Sequence, residues 1–378
     1  MERTLWINTG EPSGDLHGAL LCRALLARAP DLRIAAMGGD ELRAAGAEVA
    51  VDIERLSVMG FTEVLAKLPT ILKLLSTIKA ELVRRRPDAV ILVDAPSFNF
   101  RVAKMAHGLG IPVHYYISPK LWAWNTGRVR FVRDHVRRML CILPFEVEFY
   151  RRHGLDVDYV GNPLVDAVAE ELEDAGRADW AGAPEEPGSG VVGVLPGSRR
   201  KEIEGLLPVF GEAARILTAR LPSVRFEIVR APSVREERLR ELWPRDVEAR
   251  ILPPEGRYAA MRGWETALAA SGTVTLETAL LGVPTVVAYK LSALTFALAR
   301  RFVRVEHVAL PNLILGERLF PELLQHEATG PAVAAAAMKW LGDPALAAAV
   351  RARLADLRDI LGAPGAPDRA AGIILGDL

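Results

Sequence analysis

One rhythm constrains this chain more than anything else in it: short, wholly apolar runs separated by amphipathic helical stretches, and the rhythm occurs twice. Ala89-Val90-Ile91-Leu92-Val93 is the purest run, closed by Asp94-Ala95-Pro96. Residues 4–9, 113–117 and 139–143 repeat it, with 16–28 reading as a helix between strands. A strand that is apolar at every position, not at alternate ones, needs cover on both faces. That is the condition of a parallel sheet flanked by helices. The rhythm fades after Val160-Gly161-Asn162-Pro163, and residues 181–190 are rich in Gly, Pro and Glu, as an exposed loop is. It restarts with strand 191–195, helix 202–220, strands 226–229 and 268–270, helix 276–281 and strand 285–288. The expectation is an α/β protein with a first domain over 1–165, a second over 166–343, and a helix over 344–378 that packs back on the first. Open α/β sheets bind ligands beyond the carboxyl ends of their strands. Two such sheets facing a central cleft suit a transfer reaction with one substrate on each domain.

Composition narrows the class. At 378 residues the chain exceeds one ordinary core. Lys+Arg and Asp+Glu balance at 47 each, so no global field draws in nucleic acid, and none is expected as a partner. Cys22 and Cys141 stand alone in apolar stretches, which fits a reducing compartment and no metal cluster. The start of the chain carries no secretory pattern, and no charge-free apolar run reaches the roughly 18 residues of a membrane span. A cytoplasmic protein is expected.

Leu195-Pro196-Gly197-Ser198-Arg199 follows a strand and opens a helix. Gly197 and Ser198 permit a tight turn with free N–H groups, and Arg199 adds a planar cation, a combination suited to a diphosphate. A solvated basic helix entry is the plainer alternative. Ser271-Gly272-Thr273 makes a second small-residue turn before a helix, and Glu277 follows one turn in. Its carboxylate suits the two hydroxyls of a ribose, or simply the helix dipole. The P-loop pattern is absent and no complete Gly-x-Gly-x-x-Gly follows the first strand, which removes support for P-loop phosphoryl transfer and dinucleotide redox chemistry.

In the first half, Glu11, Ser13, Gly14 and Asp15 crowd a strand–turn–helix corner, where Ser13 or Asp15 also reads as a helix cap. Asp94 ends the most hydrophobic strand, so burial would raise its pKa toward that of a useful base; capping the next helix is the rival role. Tyr115, Tyr116, Trp122 and Trp124 fall within ten residues and suit sugar stacking or a membrane-facing surface. Residues 59–82 carry two apolar stripes, one through Leu65, Leu68, Leu72 and Leu75, the other through Val64, Ile71, Leu74 and Ile78. Lys67, Lys73 and Lys79 border them. An interfacial membrane helix and a deeply buried helix both fit.

Taken together, Gly10-Glu11-Pro12-Ser13-Gly14-Asp15, Val58-Met59-Gly60, Asp94-Ala95-Pro96-Ser97-Phe98-Asn99, Ser118-Pro119-Lys120-Leu121-Trp122-Ala123-Trp124, Leu143-Pro144-Phe145-Glu146, Leu195–Arg199, Ala270–Thr273 and Leu310-Pro311-Asn312-Leu313 resemble the lipid-A-disaccharide synthase family. They occur in order over nearly the whole chain. Pro12 stands where relatives carry Ala, and Asn125 where Arg is common, which puts a cationic surface contact there in doubt.

The resemblance implies a GT-B fold of two Rossmann-like domains and a metal-independent, inverting glycosyltransferase without a cofactor. It implies transfer of 2,3-diacylglucosamine from its UDP derivative to the 6-hydroxyl of 2,3-diacylglucosamine 1-phosphate, giving the β(1→6) lipid A precursor and UDP. It further implies peripheral association with the inner membrane of a Gram-negative cell and a homodimer that exchanges C-terminal parts. Asp94, Arg199 and Asn312 fall on its functional positions. The expected roles are base for Asp94, with Glu11 and Asp15 as rivals, charge stabilisation for Arg199 and the Ser271–Thr273 turn, ribose binding for Glu277, and orientation of phosphates or sugar for Asn312. A UDP-N-acetylglucosamine 2-epimerase, another GT-B transferase and a non-catalytic nucleotide-regulated membrane binder are the competing functions.

Overall fold

The computed structural model of the chain describes residues 3–53, 68–124, 126–174, 190–290 and 306–378. The Val58-Met59-Gly60 motif, the first part of the 59–82 helix, Asn125 and the loop 181–189 lie outside them. Two compact units form, one from Met1–Pro163 with Pro364–Leu378, the other from Leu164–Ala363.

The first unit is built on seven parallel strands: β1 (Thr4–Asn8), β2 (Arg33–Gly38), β3 (Glu48–Asp52), β4 (Ala89–Val93), β5 (Val113–Tyr116), β6 (Arg138–Cys141) and β7 (Asp158–Tyr159). Their spatial order is β3-β2-β1-β4-β5-β6-β7. Successive side chains leave a strand on opposite faces. Leu5 and Ile7 therefore enter one core layer while Trp6 enters the other, and every residue of β4 is buried. The helix Pro12–Arg28 covers the first layer and the helices Leu68–Arg85 and Pro96–Gly108 the second.

In the helix Leu68–Arg85 the two expected stripes resolve into one. Leu74, Leu75, Ile78 and Leu82 are buried, with Ile71 packed beside them, whereas Leu72 is 57% exposed next to exposed Lys73 and Lys79. Core residues recur every three or four positions because a single helical face meets the sheet.

The second unit repeats the plan with six parallel strands: β8 (Val191–Leu195), β9 (Arg225–Val229), β10 (Ala249–Leu252), β11 (Thr266–Ala270), β12 (Thr285–Tyr289) and β13 (Glu322–Leu324). Their order is β10-β9-β8-β11-β12-β13. At mid-strand Gly193 lies under the Trp264 ring so closely that an added Cβ would fall 1.9 Å from it.

Residues 344–378 form two helices rather than one. Pro344–Leu361 stays with the second unit, where Arg358 donates to the Leu280 carbonyl at 2.8 Å. The chain then turns through Gly362-Ala363-Pro364-Gly365, with φ of +82° at Gly362 and +110° at Gly365, values that L side chains rarely adopt. The helix Ala366–Gly376 places Ala370, Ala371 and Ile374 in the first unit's core. Among the described residues no single helix is long and apolar enough to cross a membrane.

Candidate active site

In each sheet the strand order reverses at one place, between β1 and β4 in the first unit and between β8 and β11 in the second. Loops at the carboxyl ends of such neighbouring strands diverge to opposite faces and leave a crevice where ligands bind. All the candidate residues except Glu277 and Asn312 lie in the turns that follow these four strands or, for Ser13, Gly14 and Asp15, in the first turn of the helix after β1.

Asp94 follows β4 directly. Asp94 and Ala95 both take left-handed backbone angles, φ 47° and 45°, before the helix Pro96–Gly108 begins. Each such residue costs on the order of 1–3 kcal/mol and persists only where neighbours enforce it. Here the enforcement is visible. Asn99, fully buried, donates from Nδ2 to the Asp94 carbonyl at 2.8 Å and the Val93 carbonyl at 3.1 Å. Its Oδ1 accepts from Asn8 Nδ2 at 2.8 Å, and Asn8 Oδ1 accepts from Trp6 Nε1 at 3.1 Å. Tyr115 Oη adds a 2.6 Å bond to the Asp94 carbonyl. With backbone polar groups taken up in this way, the half-buried carboxyl is presented at the sheet edge. Burial pushes its pKa above the ordinary value, while the Lys120 ammonium and the Ala95 N–H pull the other way.

The helix start Glu11–Asp15 adjoins this corner, since a Cβ on Gly14 would sit 3.7 Å from the Val93 carbonyl. Glu11 and Ser13 are exposed. Asp15 differs from expectation. It is buried, and its carboxylate accepts from Gly39 N at 2.6 Å and Glu41 N at 3.0 Å. It therefore caps the short helix Asp40–Ala44 and is not presented as a base or ligand. The expected cap of its own helix is thereby corrected: Asp15 lies inside the helix Pro12–Arg28, and the N–H groups it accepts from belong to a helix more than twenty residues along the chain.

The aromatic stretch also divides. Tyr115 and Tyr116 are wholly buried, so they are core residues rather than a stacking surface. Trp122 packs edge-on against Phe145 at 4.8 Å and donates to Glu146 Oε1 at 3.2 Å; the Trp124 side chain lies outside the description. Glu146 is buried and also accepts from Leu143 N at 3.1 Å and Ile142 N at 3.3 Å. Burial outweighs these donors and pushes its pKa up to about 7. Glu146 and Asn99 were visible in the sequence only as members of motifs. Neither stood out as the group that fixes its loop.

In the second unit, Gly197 takes φ +103° directly after β8, and an added Cβ would come 2.8 Å from Glu202 Oε2 and 3.5 Å from the Ala270 Cβ. The turn after β8 thus touches the end of β11. Glu202 reaches back to Arg199 N at 3.3 Å and to its Nη1 at 3.2 Å, holding a guanidinium that is 73% exposed. Ser198 is exposed, and its carbonyl accepts from Ser233 Oγ at 3.2 Å. On the β11 side Ser271 and Gly272 are half-buried and Thr273 exposed. A Cβ on Gly272 would meet no described atom within 4 Å, so the turn opens on free space.

Glu277 is buried and paired with Arg257, whose Nη2 and Nε lie 3.3 and 3.4 Å from its oxygens. Arg257 also donates to Tyr258 Oη at 2.7 Å and the Pro254 carbonyl at 2.9 Å. Burial works against its charge, yet the carboxylate of Glu277 prevails and holds its pKa above the ordinary value. Asn312 is fully buried and its amide is spent within the protein. Nδ2 donates to the Phe320 carbonyl at 2.8 Å and Glu322 Oε1 at 2.9 Å, while Oδ1 accepts from Phe320 N at 2.8 Å. The expected direct contact with phosphate or sugar is therefore not what this geometry offers. Glu322 also accepts from Val308 N and Ala309 N, at 3.0 and 2.8 Å, and the Val308 carbonyl accepts from Ser271 Oγ at 3.4 Å. Among the described residues, Asn312 reaches the Ser271 turn through this network.

Two units of this topology place the chain in the GT-B class of α/β glycosyltransferases and sugar epimerases. The fold is similar to UDP-GlcNAc 2-epimerase from Neisseria meningitidis bound to UDP-GlcNAc, with a TM-score of 0.69 at 14% identity, covering 99% of this chain and 100% of that one. It is similar to the glycotransferase of kitacinnamycin, with a TM-score of 0.64 at 20% identity, covering 100% of this chain and 99% of the other. By sequence, residues 5–354 match the family described as lipid-A-disaccharide synthetase. The lipid-A-disaccharide synthase of Geobacter sulfurreducens is 41% identical over 98% of this chain and 96% of that protein. That of Myxococcus xanthus is 42% identical over 97% and 95%. The chain belongs to the lipid-A-disaccharide synthase family and is a glycosyltransferase of lipid A biosynthesis.

Proposed function

We propose that the protein performs one inverting displacement between a UDP-linked diacylglucosamine donor and a diacylglucosamine 1-phosphate acceptor. The carrying observation is Asp94, a carboxylate of raised pKa on an enforced left-handed corner at the first unit's switch point. Asp94 takes the proton of the acceptor 6-hydroxyl as that oxygen bonds to the donor's anomeric carbon. The bond from that carbon to UDP breaks, and its electron pair stays on the diphosphate. Arg199, the N–H groups of Gly197 and Ser198, and the Ser271–Thr273 turn balance the growing charge where water would otherwise have to reorganise. Glu277 exchanges part of its pairing with Arg257 for the ribose hydroxyls, and Asn312 acts by holding the Ser271 turn. In this reading no metal or cofactor takes part, and Glu11, exposed at the same edge as Asp94, contacts the acceptor.

The same reading has the protein cytoplasmic and peripheral on the inner membrane. Exposed Leu72 beside Lys73 and Lys79 supports it, since an apolar side chain flanked by cations suits an anionic lipid surface. It includes a homodimer exchanging C-terminal parts, the helix Ala366–Gly376 being the piece that would pass between copies; light scattering of the purified protein checks its mass. The test of the reaction is incubation with both lipid substrates and mass spectrometry for the disaccharide 1-phosphate. Formation of an epimerised UDP-sugar instead, or UDP and liposome binding without product, refutes it.

A further inference from the structure

We propose that a hollow beside the Asp94 corner is the subsite for the acceptor's phosphate group. The inference rests on the reaction proposed above. The hollow has a volume of about 270 Å³, and its described lining is Pro96, Ser97, Phe100, Arg101, Arg128 and Phe131, with no acidic side chain among these residues. It lies between the first turns of two helices, Pro96–Gly108 and Val129–His135, that both start at the carboxyl edge of the sheet.

Its walls are fixed. Phe100 and Phe131 lie 4.8 Å apart between ring centroids, and Phe131 stacks on His135 at 4.1 Å. Arg128 sits 5.5 Å over the Phe100 ring, and Arg101 is folded back by a 2.7 Å bond from Nη1 to the Ser97 carbonyl. Two guanidinium groups among described lining residues that include no carboxylate match a phosphomonoester, which carries close to two negative charges and accepts forked hydrogen bonds. The volume suits a headgroup and falls below the size of a pocket for a drug-sized ligand.

Its position suits the reaction as well. Phe100 meets Tyr115 edge-on at 6.0 Å, and Tyr115 Oη bonds to the Asp94 carbonyl at 2.6 Å. Ser97 follows Asp94 by three residues, so their Cα atoms are at most about 11 Å apart. A single hexose bridges that gap, with its phosphate in the hollow and its 6-hydroxyl at Asp94. The hollow then selects phosphorylated acceptors over free glycolipids.

Bilayer phospholipids offer a related group, a phosphodiester of single charge, so the experiment separates the two sources. The ratio of kcat/KM for diacylglucosamine 1-phosphate over its dephosphorylated analogue is measured in non-ionic micelles for wild type, Arg101→Ala and Arg128→Ala. Flotation with anionic phospholipid vesicles is run in parallel, and far-UV circular dichroism verifies folding. The expected result is a preference for the phosphorylated acceptor that falls at least tenfold in either variant. A preference unchanged in both variants overturns the proposal, and so does loss of vesicle binding alone, which would assign the hollow to the bilayer. If wild type forms no disaccharide from either acceptor, the proposed reaction fails. Titration of the phosphorylated lipid in micelles then decides: weaker binding in the variants upholds the subsite, equal binding overturns it.

Discussion

Asn99 Nδ2 and the Asp94 carbonyl are 2.8 Å apart, and that bond ties the proposed base to the buried chain running back through Asn8 to Trp6. A corner with two left-handed residues in succession has no intrinsic reason to stay closed. Replacing Asn99 with Ala takes the acceptor from the Asn8 amide and a donor from the Val93 and Asp94 carbonyls, the second of which keeps Tyr115 Oη, a loss of about 2–4 kcal/mol for several buried partners at once. Thermal unfolding reads this, and kcat should fall more than the melting temperature alone explains. A variant with wild-type stability and turnover refutes the account.

Asp94→Asn should lower kcat by roughly 10²–10⁴ as expected for loss of a general base, with UDP affinity little changed. Burial raises the Asp94 pKa. The base works ionised, so kcat/KM should fall as pH drops through that raised value, above the usual carboxylate range near ~3.9. Near-normal turnover in the variant removes Asp94 from the role.

Glu146 makes stability depend on pH with a definite sign. Its pKa of about 7 in the folded protein exceeds the unfolded value, so the folded state keeps a proton that the unfolded chain releases. Stability therefore falls as pH rises from about 4.3 toward about 7, and is level above that. Glu146→Gln keeps an acceptor for Trp122 and should flatten the slope, measured by urea unfolding across that range. An unchanged slope counts against the assignment.

Glu277 is already engaged by Arg257, so a ribose must compete for it. Wild type should bind UDP more tightly than 2′-deoxy-UDP by roughly ten- to a hundredfold, in line with one charge-assisted hydrogen bond of about 1.5–3 kcal/mol. Calorimetry with Glu277→Ala should show the two ligands equal. A preserved preference would leave Glu277 as the partner of Arg257 alone.

Gly197→Ala strains φ +103° and sets a methyl 2.8 Å from Glu202 Oε2. Glu202 must move, and with it the restraint on Arg199. A stability loss of about 1–3 kcal/mol and weaker UDP binding should follow, the first from denaturation and the second from titration.

The parts legible in the sequence are those written in contiguous residues. Ala89–Val93 and Val191–Leu195 are strands with the expected bounds, because burial along all or nearly all of each leaves no polar position to blur a run. Strand β2 escaped notice, since Ala35, Ala36 and Gly38 resemble helix or turn material until the sheet buries them. Strand β3 lies at a sheet edge with Glu48 and Ala50 exposed. The polar residues were harder. Asp15 finds the N–H groups of Gly39 and Glu41, and Asn312 finds Phe320 and Glu322, across segments that only the fold brings together. A polar residue in a turn announces that it has partners without saying whether they are ligand or protein.

The helix Ala366–Gly376 sets an order on synthesis. Its Ala370, Ala371 and Ile374 fill a layer that Leu5, Ile7 and Leu21 also line, and Arg28 pairs with Asp368 while Arg369 donates to the Val160 carbonyl. On the ribosome the first sheet is complete some two hundred residues before that helix exists, and the second unit is translated in between. Domains emerging from the ribosome usually fold in turn from the N-terminus. Here the first to emerge is the last to be sealed, and it holds an apolar layer covered in part by the helix Pro12–Arg28 while the second unit is being made.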